Sequence, residues 1–131
     1  MPAEGGAASQ ITKNGGYSAV AAADGQWLYY HDRDSFSPLR KIRAEGGEDS
    51  EAIPMPVIRL AHTATPAGVY FATAQPSSLQ ALLFATGKIS EVAKLDFAPS
   101  IGLSISPDGR YALVTKPDQN GTDLMLVENF R

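Results

Sequence analysis

Short apolar runs alternate with polar, glycine-bearing turns along the whole chain. Tyr17–Ala22, Trp27–His31, Leu39–Arg43 and Ile89–Leu95 are typical. They are rich in aromatic and aliphatic side chains, too short for helices, and lack a sustained 3.6-residue period or capping pattern. Such runs, bounded by turn residues, predict β-strands throughout.

The strands repeat in register. Gly5, Gly46 and Gly87 recur at 41-residue intervals, the first two inside the same tetrapeptide, Ala3-Glu4-Gly5-Gly6 and Ala44-Glu45-Gly46-Gly47. A second marker is interleaved with the first. Asp24-Gly25, Ala67-Gly68 and Asp108-Gly109 each precede an aromatic-bearing run: Trp27-Leu28-Tyr29-Tyr30, Val69-Tyr70-Phe71 and Tyr111-Ala112-Leu113-Val114. Four strands per unit of about 40 residues is the rhythm of β-propeller blades. The reading is therefore all-β, a β-propeller with three four-stranded blades in the chain.

Lettered from axis to rim, blade one has A at Tyr17–Ala22, B at Trp27–His31, C at Leu39–Arg43 and D at Asp49–Ile53. Blade two has A at Ile58–Thr63, B at Val69–Thr73, C at Gln80–Ala85 and D at Ile89–Leu95. Blade three has A at Leu103–Ser106, B at Tyr111–Thr115 and C at Asp123–Glu128, and no D. The missing strand is supplied by Ala7–Thr12 at the other end, so the chain is permuted by one strand. The segments are residues 1–14 (the exchanged strand), 15–56, 57–97 and 98–131. Inner strands flanked by blades on both sides need not alternate apolar and polar residues.

Composition narrows the function. The chain has 131 residues, a formal net charge of −3 and no cysteine. The first excludes little beyond one modest domain. The second argues against a nucleic-acid surface, which needs a basic stripe. The third removes disulfides and thiolate chemistry. No apolar run approaches the ~20 residues of a membrane helix, and Met1–Gly6 has no basic start or apolar core of a secretory signal. The expectation is a soluble chain with no membrane partner and an undetermined compartment.

Ser106-Pro107-Asp108-Gly109-Arg110-Tyr111 resembles the Ser-Pro-Asp-Gly-Arg/Lys-Trp/Tyr motif of TolB-like, WD-repeat-like propellers. Asp24-Gly25-Gln26-Trp27 resembles it with Ala22-Ala23 in place of Ser-Pro. The tail, Asp118 to Arg131, is similar to the C-terminal propeller end of bacterial sensor-regulators linked to winged-helix or Ser/Thr kinase domains. The resemblance implies a propeller fold and leaves the ligand open; no kinase or winged-helix region is present in the sequence. Blade two departs from the motif, with Thr65-Pro66-Ala67-Gly68 and no aspartate. Asp24 and Asp108 read as turn residues whose carboxylates accept nearby backbone N–H groups.

Candidate chemistry is sparse. His31 and His62 stand on different blades without a ligand partner at metal spacing, and read as surface or satisfied side chains. Asp118 to Asp123 has oxygen donors at alternate positions but lacks the closing glutamate of a calcium loop, and Asn120-Gly121 reads as a hairpin turn. No serine sits in a nucleophile elbow, and no P-loop exists. Arg40, Lys41 and Arg43 face Glu45, Glu48, Asp49 and Glu51 across one hairpin, a pattern of rim ion pairs. No cofactor and no metal are expected.

Three blades cannot close, since propellers take 4–8. Two copies, each lending Ala7–Thr12 to the other's third blade, would make a six-bladed ring, so a homodimer is expected, with Ile11, Leu124 and Leu126 at the junction. The expected function is non-catalytic: self-assembly and binding of a peptide, protein or small ligand. The B–C loops (Asp32 to Pro38, Ala74 to Ser78, Pro117 to Thr122) and D–A loops (Lys13 to Gly16, Phe97 to Ser100) would present Asp32, Arg33, Asp34, Asp118 and Asn120. The competing readings are a purely structural or engineered assembly unit without a ligand, and a hydrolase or lyase with Ser18, Arg59, His62 and Ser104 lining the axis.

Overall fold

A computed structural model describes residues 7–33, 36–118 and 121–128. Among the described residues eleven strands build three antiparallel sheets. Sheet one is the meander β1 (Tyr17–Ala21), β2 (Trp27–His31), β3 (Ser37–Arg43) and β4 (Ser50–Val57). Sheet two is β5 (His62–Ala64), β6 (Gly68–Ala74), β7 (Ser77–Leu83) and β8 (Lys88–Lys94). Sheet three is β9 (Leu103–Ile105), β10 (Tyr111–Asp118) and β11 (Gly121–Glu128). The first strand of the middle sheet, β5, touches both β1 and β9, so the three leading strands gather along one line while the later strands fan outward. This is consistent with three propeller blades. They form no closed ring in this chain.

The strand pattern follows from burial on two sides. β6 lies between neighbouring sheets and is buried along nearly its whole length: Val69 and Phe71 join Tyr29, Leu39, Ile53 and Val57 against sheet one, while Tyr70 packs with Leu79, Ala81 and Ala112 toward sheet three. A strand buried on both faces loses the period-two alternation, as expected for the interior of a stack. β5 is shorter and later than the sequence suggests. Ile58 to Ala61 do not form strand; Ala61 N–H donates to the Ile58 carbonyl at 3.0 Å, and Leu60 sits at φ 62°.

The turn markers divide into two kinds. In sheet one the Ala22 and Trp27 backbones close around Gly25 (φ 72°), and in sheet three Ser106 and Tyr111 close around Gly109 (φ 73°). Asp24 Oδ1 accepts from Gln26 N at 2.9 Å and Asp108 Oδ1 from Arg110 N at 3.0 Å, the turn role expected of both. In sheet two the closing pair is Thr65 and Gly68, so Gly68 stands where Trp27 and Tyr111 stand, not where Gly25 and Gly109 do. The turn is two residues tighter, and Thr65 Oγ1 accepts from Ala67 N and Gly68 N in place of the missing aspartate. The sequence reading of Gly68 as a turn glycine is thus corrected: it opens β6.

Gly68 is a glycine because of crowding. A Cβ there would lie 2.2 Å from the Leu82 carbonyl oxygen of the adjacent strand, against backbone that cannot rotate away. Gly68→Ala is expected to destabilise by about 3 kcal/mol, the upper range for overpacking. At Gly25 a Cβ would meet nothing within 4 Å, and only the positive φ resists it. Gly25→Ala is expected to cost about 1–2 kcal/mol. Urea unfolding of both variants checks the order.

The two ends of the stack differ. On sheet three, Leu113 pairs with Leu126 and Thr115 with Leu124 on the face turned away from sheet two. Leu124 is 74 % exposed, Leu126 51 % and Leu113 40 %. Ala112 and Val114 point inward and are buried. Among the described residues sheet three has three strands where its neighbours have four, and β11 lies at its margin. At the other end, Ala7–Thr12 forms no strand. Ile11 is half-buried, and the residues after it, Lys13 and Asn14, share a shallow depression with Tyr30, Ile42, Gly47 and Asp49 on the outer side of sheet one. Among the described residues no helix is long and apolar enough to cross a membrane.

Candidate functional site

Two places concentrate chemistry: a groove on the predicted loop side and a buried histidine pair beside the leading strands. The groove, about 360 Å3, lies where sheets one and two diverge. Phe36 stands on its rim, 62 % exposed, ahead of β3. Met55 and Pro56 come from the end of β4, Ile58 from the following connection, and Gln75 and Pro76 from the hairpin between β6 and β7. That hairpin is tight, with a cis Gln75–Pro76 bond and Ala74 paired to Ser77. A chain of side-chain hydrogen bonds fixes its base: Thr73 Oγ1 donates to the Pro76 carbonyl at 2.6 Å and contacts Ser78 Oγ at 2.8 Å, and Gln80 Nε2 donates to Ser78 Oγ at 2.9 Å. The groove thus offers apolar walls and a few fixed amide and hydroxyl groups, the usual make-up of a binding cleft.

The sequence-predicted loop residues do not converge there. Asp32 and Arg33 follow β2 and pair with each other at 3.6 Å, with Arg33 largely in solvent. Asp34 and Asn120 lie outside the described residues. Asp118 is not in a loop: it ends β10, paired with Gly121. The hairpins after β6 and β10 are shorter than the expected loops, because strands β6, β7, β10 and β11 run nearly to the turns. Gly15, in the first of the expected D–A loops, lies beside the Asp32 carbonyl.

The rim charges sort by face. Arg40 Nε donates to Asp49 Oδ2 at 2.8 Å and Arg40 Nη2 to Asp49 Oδ1 at 3.2 Å, while Tyr30 Oη donates to Asp49 Oδ2. Hydrogen bonds from Arg40 and Tyr30 hold the Asp49 carboxyl down at about 2, and burial followed by the Asp49 hydrogen bond pushes Tyr30 up to about 12. Lys41 and Arg43 instead point to the opposite face and cover the Trp27 ring at 4.9 and 4.6 Å.

His31 and His62 are the main revision. They do stand on separate sheets, but they are not surface side chains: both are buried and adjacent, with ring centroids 5.4 Å apart at 75°. His31 Nδ1 meets Ser37 Oγ at 2.9 Å and His62 Nε2 meets the Tyr29 carbonyl at 3.3 Å. His31 Nε2 and His62 Nδ1 are buried without a hydrogen-bond partner. Only the packing of β2 against β5 unites them, a tertiary contact that strand spacing does not reveal. Burial lowers both pKa values, His62 from 6.5 to about 4 with a further contribution from His31.

The sign of the pH dependence follows. Each ring is held neutral in the fold, so stability is complete above about 6.5. It falls as acid protonates the unfolded chain while the buried rings resist, down to about pH 4. For His62 alone the loss is on the order of 3 kcal/mol. Asp49 adds a second loss between its ordinary 3.8 and about 2. Urea midpoints are expected to drop between pH 7 and 4.5, where a chain lacking buried histidine would stay nearly level.

Comparison with known proteins bears on the fold. No protein-family model matches the chain, and no curated protein matches it. Among solved structures, the chain is similar to Kuenenia stuttgartiensis hydrazine synthase, with a TM-score of 0.60 and 20% sequence identity over 93% of this chain and 35% of that one. The chain therefore spans about a third of that neighbour's length, and at such identity the likeness is one of all-β architecture alone.

Proposed function

We propose that the chain is a non-catalytic β-propeller module of the TolB-like kind, which assembles with itself and binds a peptide or protein. The carrying observation is the outer face of sheet three, where Leu113, Leu124 and Leu126 are exposed on a sheet that has three strands among the described residues, while both other sheets have four. A contiguous apolar sheet face beside an open edge is a surface that soluble chains cover.

The occupant proposed is a second copy. Its Ala7–Thr12 segment takes the place beside β11 corresponding to β4 and β8, and its sheet one packs on Leu124 and Leu126. Two copies then close a six-bladed ring, a head-to-tail contact made finite by two-fold symmetry. Support comes from the leading segment itself, which forms no strand in the single chain and has Ile11 half-buried. The groove between Phe36 and Gln80 is the place proposed for a peptide, its amides suited to main-chain groups.

Deleting residues 1–12 tests the exchange. The truncated chain is expected to lose its dimer at micromolar concentration. A truncated chain that remains a well-folded dimer contradicts the exchange.

A further inference from the structure

The buried histidine pair has an arrangement that packing alone does not require. Each ring is oriented by one hydrogen bond and leaves its other nitrogen, His31 Nε2 or His62 Nδ1, buried without a partner. Buried polar atoms are nearly always satisfied, and a native exception calls for a water or an ion. His62 Nε2–H donates to the Tyr29 carbonyl, which fixes the tautomer and leaves a lone pair on Nδ1. Ser37 Oγ can accept from His31 Nδ1–H, and that tautomer leaves the lone pair on Nε2. A ligating imidazole that donates its second N–H to a neighbour is the ordinary outer shell of a metal site.

We infer that His31 Nε2 and His62 Nδ1 form a two-coordinate site for copper(I). The donor count selects the ion. Among the described residues no group of three or more His, Cys, Asp or Glu side chains gathers to hold a metal. Zinc, which takes four ligands, and calcium, which takes six to eight oxygens, are poorly served by two imidazoles. A monovalent d10 ion is satisfied by two neutral nitrogen donors, and imidazole suits copper. A single positive charge is also the least costly to bury, because the solvation penalty rises with the square of the charge.

The surroundings agree. The Ser18 backbone stands beside His62 and favours positive charge there. Ser18 is held at φ 57°, in an irregularity of the β1–β2 ladder that follows the Tyr17–His31 pair. Leu60, the other non-glycine residue at positive φ, lies two residues before His62. Backbone held in such conformations is found where a site is being shaped.

The test uses the full chain, reduced and anaerobic, titrated with copper(I) against bicinchoninate, with imidazole 15N shifts as the second readout. The sequence has two histidines, so assignment is direct. One copper(I) per chain is expected, moving His31 Nε2 and His62 Nδ1 together. Ser37→Ala, which leaves both ligands in place, should weaken binding about 10-fold at unchanged stoichiometry, and His62→Gln should remove it. Three results overturn the site: no competition with the chelator, copper uptake with both histidines unmoved (capture by the chain's methionines), or zinc(II) binding as tightly as copper(I).

Discussion

Phe71→Ala is expected to lower the unfolding free energy by about 3–5 kcal/mol. Phe71 is fully buried at the centre of β6, within the cluster of Tyr29, Leu39, Ile53, Val57 and Val69 that joins sheets one and two. Its backbone is held by His62 on one side and Gln80 on the other, so the sheet cannot collapse into the space left by the ring. A domain of this size is stable by about 5–15 kcal/mol, and a change of this order removes a large share of it. Phe36→Ala is the matched control. That ring stands 62 % exposed at the groove, and its loss should stay within about 0.5 kcal/mol. Equilibrium urea unfolding of the two variants separates a core aromatic from a surface one. Equal effects would mean that sheets one and two do not share the core described.

The second large effect concerns assembly. Leu124→Asp with Leu126→Asp places two carboxylates on the outer face of sheet three, where the wild-type leucines are already exposed in the single chain. The fold of one chain should therefore tolerate the change, with an unfolding midpoint close to wild type. In the closed ring the same carboxylates would be buried against an apolar sheet without partners, a penalty of several kcal/mol. A weakening of association of about a thousandfold or more is expected, corresponding to about 4 kcal/mol. Sedimentation at graded concentrations reads it directly. Unchanged association would place the contact elsewhere on the molecule.

The strands were largely legible because they come from local signals. Asp-Gly turns and apolar runs located β2, β3, β10 and β11 to within a few residues, and burial on both sides explains why β6 reads as continuous apolar sequence. The leading strand of sheet two was misplaced because Ile58 and Ala61 are buried against Ala72 and bonded to its backbone around a turn, without a continuous ladder; sequence pattern registers burial and cannot tell that from a strand. Gly68 misled for a related reason. Glycine marks a turn or a close approach of backbones, and here the second applies.

The site was less legible. Polar residues in the expected loops point to Asp32, Arg33, Asp34, Asp118 and Asn120, yet the groove is lined by Phe36 and Gln75 from two of those same loops, together with Met55 and Gln80, which read in sequence as ordinary strand residues. Histidines 31 residues apart carried no spacing signal. They meet because one ends β2, the other opens β5, and those strands belong to neighbouring sheets.

The most direct measurement is absolute mass in solution, by light scattering on a sizing column. Closure as a two-fold ring predicts a single species at twice the 13.9 kDa chain mass. A well-folded species at the mass of one chain would contradict it, and would mean that the outer face of sheet three remains open to solvent.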